Sequence, residues 1–152
     1  MQNLSIPSTL ESHVLPIAFS STILQGFLDL HDLAAVAASI LLSPADHIRA
    51  RYELVGVNCT YADVAQALTI YSLEHGGEPV ECVRVPKEVA LKAMEDRGVI
   101  RDDFGRRALE VMFDYYDTRG IPGSTNILRW LLGREPTTWE GLIKRELDTA
   151  SK

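Results

Sequence analysis

The order in which short apolar runs and longer amphipathic stretches follow one another restricts this chain to the mixed α/β fold classes. Residues 14–19 and 26–30 are short apolar runs, and 51–55 and 80–85 also have the composition of strands. Between and after them, apolar residues recur at helical spacing. The pattern predicts two strands, a helix, a strand, a helix, a strand and then four helices. We therefore expect an α/β or α+β fold, rich in helices with a few short strands, as a single domain over residues 1–152.

Polar residues and glycines mark where the predicted helices begin and end. Asp29 suits the N-cap of a helix that starts at Leu30 and ends at Ser43. Thr60 and Asp63 resemble a capping box without its usual Glu or Gln. The helix that starts after Thr60 is predicted to end at Gly76. Further helices are predicted over 87–97, over 124–132 and from 138 onward. One more helix has an apolar face made of Phe104, Ala108, Val111, Met112 and Tyr115.

The charge and the cysteine content exclude several classes of function. The formal net charge is -6 and the pI is about 5.2, whereas a nucleic-acid surface needs clustered Lys and Arg. Cys59 and Cys82 are too few for a disulfide framework or a metal site, and the histidines have no H-x-x-x-H spacing. We also expect no signal peptide and no membrane span, since no apolar run approaches the ~20 residues that a span needs. These features predict a cytoplasmic protein without a metal.

Three segments carry a resemblance to a known family. They are GFLDLHDLA at 26–34, YELVG at 52–56 and LGREPTTWE at 132–140. Together and in this order they resemble the C-terminal part of NmrA-like proteins, which are atypical short-chain dehydrogenase/reductases. The resemblance covers the chain from about Leu4 to Leu147. It implies a lobe that faces the substrate, in which the counterpart of residues 27–42 packs a helix against the dinucleotide sheet.

The opening of that family has no counterpart in this sequence. NmrA-like proteins begin with a strand, a turn of the G-x-x-G-x-x-G kind and a helix, where a pyrophosphate binds backbone N–H groups. Gly120 and Gly123 follow a predicted helix instead of a strand, and Gly76 and Gly77 lie at a helix end. The resemblance therefore implies a truncated NmrA-like lobe with no complete Rossmann domain. We expect it to bind no dinucleotide cofactor.

A lobe without the parallel sheet would leave apolar strands and helix faces open. Such edges and patches favour association. We expect a homodimer that pairs through the strand at 51–55 or through the helix at 30–42. The other expected partner is an apolar small molecule, with no nucleic acid and no membrane.

Several ionisable residues have the chemistry and spacing to move a proton. Asp29, His31 and Asp32 place two carboxylates beside an imidazole, although both aspartates also suit helix capping. Asp114 and Asp117 share a helix face, and paired acids in an apolar pocket can act as acid and base. A solvated polar face is the alternative for that pair. The catalytic candidates are Asp29, His31, Asp32, Glu81, Asp114 and Tyr115.

Aromatic residues are the candidates for binding an apolar substrate. Tyr52 on one predicted strand could face the same cavity as Glu81 on another. Trp130 and Trp139 flank the turn at Gly133, where they either pack in the core or line a pocket. The candidates for substrate binding are Tyr52, Tyr61, Tyr116, Trp130 and Trp139.

Three hypotheses about function follow from the resemblance. The first is a cofactor-independent, redox-neutral enzyme of the isomerase or cyclase type, for example one that rearranges an epoxide. It would act by acid–base chemistry on an apolar specialised metabolite. The second is a non-catalytic module that senses a ligand or regulates a partner, and the third is a subunit that complements an NAD(P)-dependent oxidoreductase. We favour the first.

Overall fold

The computed structural model describes Met1 and residues 4–150, and it confirms a mixed α/β fold. This part of the chain contains seven α-helices, four short strands and one 3₁₀ turn, Pro44–His47. The helices are α1 (Ile6–Ser12), α2 (Leu30–Leu42), α3 (Tyr61–Glu74), α4 (Lys87–Asp96), α5 (Asp103–Thr118), α6 (Asn126–Leu132) and α7 (Trp139–Ala150). The strands are β1 (Val14–Ile17), β2 (Gln25–Phe27), β3 (Val57–Cys59) and β4 (Glu81–Arg84).

The strands form two separate two-stranded sheets. β1 runs parallel to β4, with Leu15 opposite Cys82. β2 runs antiparallel to β3, with Gln25 opposite Cys59. Gln25 also forms an isolated bridge with Ile121. This bridge brings the segment after α5 against β2, and it creates the surroundings of the candidate site.

The strand predicted at residues 51–55 is wrong. That segment has no strand structure, and the strand begins at Val57 instead. Pairing with β2 determines this position, because the Gly56 N–H donates to the Phe27 carbonyl at 2.7 Å and the ladder continues from there. The strand expected to form one of the two possible homodimer contacts is therefore absent at 51–55, and the homodimer itself stays a prediction.

The sequence pattern does not indicate α1 or the 3₁₀ turn. The seven residues of α1 bury only Ile6 and Thr9, so they show too little apolar periodicity to mark a helix. The 3₁₀ turn follows Ser43, the predicted end of α2, and buries none of its residues. Neither segment has the apolar spacing by which a helix is recognised in a sequence.

The predicted caps of α2 and α3 are confirmed. The Asp29 carboxylate accepts the His31 N–H at 3.0 Å. The Thr60 hydroxyl accepts the Asp63 N–H at 3.1 Å, while the Asp63 carboxylate accepts the Thr60 N–H at 2.8 Å. A complete capping box thus forms with Asp in the place of the usual Glu or Gln.

One apolar cluster joins most of the elements. α3 packs on α7, α4 packs on α5, and α1 packs on both β1 and α7. The most deeply buried members of the cluster include Leu15, Leu68, Leu91, Leu142 and Ile143.

No helix in the described part of the chain is both long enough and apolar enough to cross a membrane.

Two helices keep apolar residues on the surface. α2 buries only Asp32 and Val36, and Leu41 near its end is 78% exposed. The apolar set predicted for α5 does lie along that helix, but four of its members are exposed while Phe113 and the residues beside it face the core. The reason is that α5 has apolar residues on two opposite faces, and helical spacing alone does not tell which one is buried.

Candidate functional site

A cleft of about 260 Å³ lies where β2, the start of α3 and the second half of α5 meet. Its lining combines apolar side chains with phenol groups and the polar backbone of β2. The cleft brings together Tyr61 and Tyr116, two of the predicted substrate-binding residues. The lining residues are Met1, Gln25, Gly26, Phe27, Leu28, Leu30, Tyr61, Tyr116 and Ile121.

Gln25 holds the walls of the cleft together. Its side chain is 2% exposed; the amide Nε2 donates to the Tyr116 carbonyl at 3.2 Å, and Oε1 accepts the Ile121 N–H at 3.2 Å. The Gly26 N–H donates to the Ile121 carbonyl at 3.1 Å. A Cβ at position 26 would lie 2.6 Å from that carbonyl oxygen. The close approach of β2 to the segment after α5 therefore requires glycine.

Tyr61 is the best-defined polar group of the cleft. It is the first residue of α3, and its ring meets Phe19 and Phe27 edge-on, with centroids 5.2 and 5.3 Å apart. Burial raises the pKa of the Tyr61 phenol to about 12, and nearby Tyr116 adds to the rise. The phenol therefore stays protonated at any physiological pH and can donate a hydrogen bond to a ligand.

Cys59 next to the cleft is unsuited to act as a nucleophile. Burial raises the pKa of its thiol to about 11, although the neighbouring Trp139 side chain opposes the rise. Burial also raises the pKa of the Cys82 thiol. Because the thiolate is the reactive form of cysteine, both side chains are expected to be unreactive near neutral pH.

We expect the Tyr61 phenol to lose its proton only well above the ordinary pKa of tyrosine. The folded protein keeps this proton between about pH 10 and 12, whereas the unfolded chain has lost it by about pH 10, so the free energy of unfolding should fall across this window. Phenolate absorbance during an alkaline titration measures the effect directly. Tyr61→Phe should remove the late-titrating tyrosine, whereas Tyr115→Phe, at an exposed position, should leave it. Identical curves for the two variants would show that Tyr61 is not shielded from water.

Asp29 and Asp32 are fully buried and are bound by arginines. The Arg145 guanidinium donates to both oxygens of Asp29, at 2.6 and 3.0 Å. Asp32 accepts Arg134 Nη2 at 2.6 Å and the Thr137 N–H at 2.7 Å. Asp29 thus connects α2 to α7, and Asp32 connects α2 to the segment between α6 and α7. Neither carboxylate lines the cleft.

The other catalytic candidates lie on the surface. His31, Glu81 and Tyr115 are exposed. Asp114 is also exposed and accepts Lys87 Nζ at 2.6 Å, whereas Asp117 accepts Arg84 Nη2 at 2.9 Å. The two acids on this helix face thus have separate cations instead of sharing a pocket.

The remaining aromatic candidates lie in different surroundings. Tyr52 is hydrogen-bonded to His47 Nδ1 at 2.7 Å, and its ring lies 6.3 Å from that of Trp130. Trp130 itself is 66% exposed, so the expectation that it packs in the core is wrong. Trp139 is buried, and its ring meets Phe27 at 5.2 Å, directly behind the cleft wall.

Sequence reasoning missed Gln25 and Ile121 as members of the site. Gln25 is an amide beside a predicted strand, and nothing in the sequence marked it as buried, because Gln is mostly exposed in proteins. Ile121 carries no such signal, because its place in the cleft depends on a bridge between residues far apart in the sequence.

The described strand-to-helix junctions do not fit the pyrophosphate of a dinucleotide. Such a site needs free backbone N–H groups at a helix start that glycines allow the ligand to approach. The start of α2 is closed by the carboxylate of Asp29, and the start of α3 by the capping box of Thr60 and Asp63. α4 follows Pro86. A phosphate would meet a carboxylate at two of these junctions and no glycine turn at the third.

No protein-family model matches this sequence, and no curated protein matches it either. Solved structures do match its fold. A nucleoside-diphosphate-sugar epimerase from Staphylococcus aureus has a TM-score of 0.65 and 19% identity, over 91% of this chain and 46% of that chain. An NADPH-dependent quinone oxidoreductase from Escherichia coli has a TM-score of 0.66 and 21% identity, over 94% and 50%. The triphenylmethane reductase of Citrobacter sp., complexed with NADP(H), has a TM-score of 0.64 and 18% identity, over 92% and 46%.

These likenesses show the fold of the chain. It matches part of a Rossmann-like reductase, which agrees with the mixed α/β fold expected from the sequence. The chain spans about half the length of the structures that it matches, since it covers 46 to 50% of each of these three.

Proposed function

We propose that this chain is a single-domain, NmrA-like substrate lobe that binds a small, largely apolar molecule in the cleft between Tyr61 and Tyr116. The composition of the cleft carries the proposal: Phe27 and Ile121 supply apolar walls beside a phenol that stays protonated. The fold of the matching structures supports it. Two of them are named for ring-containing, largely apolar substrates, a quinone and a triphenylmethane. This cleft suits a smaller molecule of that chemical class.

The size and polarity of the cleft define the class of ligand. Its volume of about 260 Å³ lies just below the range of roughly 300–1,000 Å³ that is typical of small-molecule sites, which suits a molecule of one or two rings. The Tyr61 hydroxyl can donate to a carbonyl, ether or epoxide oxygen. Gln25 is already engaged by backbone groups on both sides, so it positions the walls and leaves ligand recognition to the phenols.

The enzymatic form of this proposal is a cofactor-independent, redox-neutral isomerase or cyclase. The group that would stabilise charge on the substrate is the Tyr61 phenol, which donates a hydrogen bond and keeps its proton. Asp29 and Asp32 are held by arginines and Asp114 by Lys87. A neutral phenol near a substrate oxygen stabilises negative charge that develops there, and it needs no nicotinamide for that role. Binding without turnover would instead make the chain a ligand-sensing or regulatory module.

The decisive test is a calorimetric titration with 2-naphthol and 1,4-naphthoquinone. We expect Ile121→Trp to fill the cleft and weaken binding by at least about tenfold. Tyr61→Phe should weaken it by roughly three- to tenfold, the loss of one hydrogen bond. Ile70→Trp is the matched control, since Ile70 is 48% exposed and Ile121 is 42% exposed but only Ile121 lines the cleft.

Two outcomes of that titration would contradict the proposal. If Ile121→Trp binds as tightly as the unaltered protein, the ligand does not occupy this cleft. If Ile70→Trp weakens binding as much as Ile121→Trp, the effect is not local. A parallel titration with NADPH tests the expectation that no dinucleotide binds, and tight binding by the chain alone would revive an oxidoreductase.

A second candidate, a subunit that complements an NAD(P)-dependent oxidoreductase, is favoured by the open apolar surface of α2. Leu33, Ala34 and Leu41 are exposed along this helix, and β1 pairs with β4 as a parallel sheet of two strands. Parallel sheets are usually larger and covered on both faces. A separate polypeptide with the other half of the fold would extend the sheet and cover α2. In that case, NADPH should bind only after the second polypeptide is added.

A further inference from the structure

The outward face of α5 is apolar along the whole helix. Four residues, Phe104, Ala108, Val111 and Tyr115, follow one another at spacings of four, three and four, which places them on one face. We call these four residues the α5 stripe. Phe104 is 82% exposed, Val111 63% and Tyr115 46%. The opposite face already packs on the core through Phe113, so folding leaves the stripe without an apolar partner in the described part of the chain.

We infer that two copies of this chain associate through the α5 stripe, with the two helices antiparallel about a two-fold axis. In this arrangement Phe104 packs against the partner's Tyr115, and Ala108 packs against the partner's Val111. The small side chain of Ala108 lies near the centre, where the helices come closest. The spacing of four and three residues is the repeat by which helices pack side by side.

Charge complementarity selects the antiparallel orientation. Arg107 and Asp114 lie seven residues apart on the same side of the stripe. Two antiparallel helices place each Arg107 beside the partner's Asp114, which gives two ion pairs of the same kind, as a two-fold axis requires. A parallel pair would instead place Arg107 and Asp114 of the two copies on opposite edges of the contact, so neither ion pair would form.

Both flanking charges are available for a partner. Among the residues that the structure describes, no carboxylate lies within ion-pair distance of Arg107, which is exposed. Asp114 is bound by Lys87 through Oδ1, and its side chain is still 66% exposed. α2 offers a larger apolar surface, but residues 33–42 carry no charge that could indicate what covers them. The α5 stripe is therefore the surface whose partner can be identified.

The test is the oligomeric state in solution, measured by sedimentation equilibrium over a wide range of protein concentration. Four apolar side chains per protomer make a small interface, so we expect a dimer of the weak, concentration-dependent class. Val111→Asp should raise the dissociation constant by at least about tenfold, because it places a charge at the centre of the contact. Val99→Asp is the matched control: Val99 is also 63% exposed but lies outside the stripe. Thermal unfolding of both variants checks that each remains folded.

A charge exchange tests the orientation. R107E and D114K should each weaken the dimer by about tenfold, since each creates two like-charge contacts, and R107E/D114K should restore it. A monomer at all concentrations would overturn the inference, as would a dimer that tolerates Val111→Asp. A dimer that is lost in Leu41→Asp and kept in Val111→Asp would assign the interface to α2. A double variant no better than R107E would exclude the antiparallel arrangement.

Discussion

Gly120→Ala is expected to lower the free energy of unfolding by about 3 kcal/mol or more, because two separate penalties coincide at this position. A Cβ there would lie 2.0 Å from the Leu24 carbonyl oxygen and 2.9 Å from Cγ2 of Ile23. The residue also has a φ of +67°, in the left-handed region that favours glycine. The backbone around Leu24 cannot move away freely, since the next residue, Gln25, is bridged to Ile121.

Gly133→Ala is the control for the conformational part of this loss. Gly133 has a φ of +65°, and no atom lies within 4 Å of the position that a Cβ would occupy. Gly133→Ala should therefore lower the free energy of unfolding by only about 1–2 kcal/mol. Urea unfolding followed by circular dichroism measures both values. Equal losses for the two variants would show that the contact with Leu24 relaxes at no cost.

The features that the sequence predicted correctly depend on neighbours within one turn of a helix. The Asp29 cap and the Thr60–Asp63 capping box each involve residues two or three positions apart, so their geometry follows from local spacing. The glycines that follow helices can likewise be recognised from neighbouring residues alone. For this reason the helix starts at Leu30 and Tyr61 agree with the structure to the residue.

The features that the sequence did not predict depend on contacts between distant segments. The strand expected at 51–55 begins at Val57 because β2 sets the register, and nothing in the local composition separates the two positions. The orientation of α5 could not be derived, since both of its faces are apolar. The residues of the cleft also divide into those predicted from local features and those set by distant contacts. Tyr61 and Tyr116 were predicted for their chemistry, but Gln25 joins the cleft through contacts with residues more than 90 positions away.

Asp29→Ala is expected to lower the free energy of unfolding by about 3–5 kcal/mol. Asp29 has no exposed surface, and its carboxylate both caps α2 and accepts two hydrogen bonds from Arg145. Alanine removes the cap and also takes the carboxylate away from Arg145, a side chain only 30% exposed. The contact joins the start of α2 to α7, so its loss should loosen the whole C-terminal helix.

Two further variants separate the causes of this effect. Asp29→Asn keeps an N-cap of similar quality but removes the charge. The decrease in the free energy of unfolding of this variant therefore measures the ion pair with Arg145. Asp114→Ala breaks an ion pair that is 66% exposed on the acid side and should cost no more than about 1 kcal/mol. If both alanine variants cost about the same, Asp29 does not hold α2 and α7 together. If Asp29→Ala removes turnover while stability is unchanged, Asp29 is a catalytic group and its role as a connection between helices is wrong.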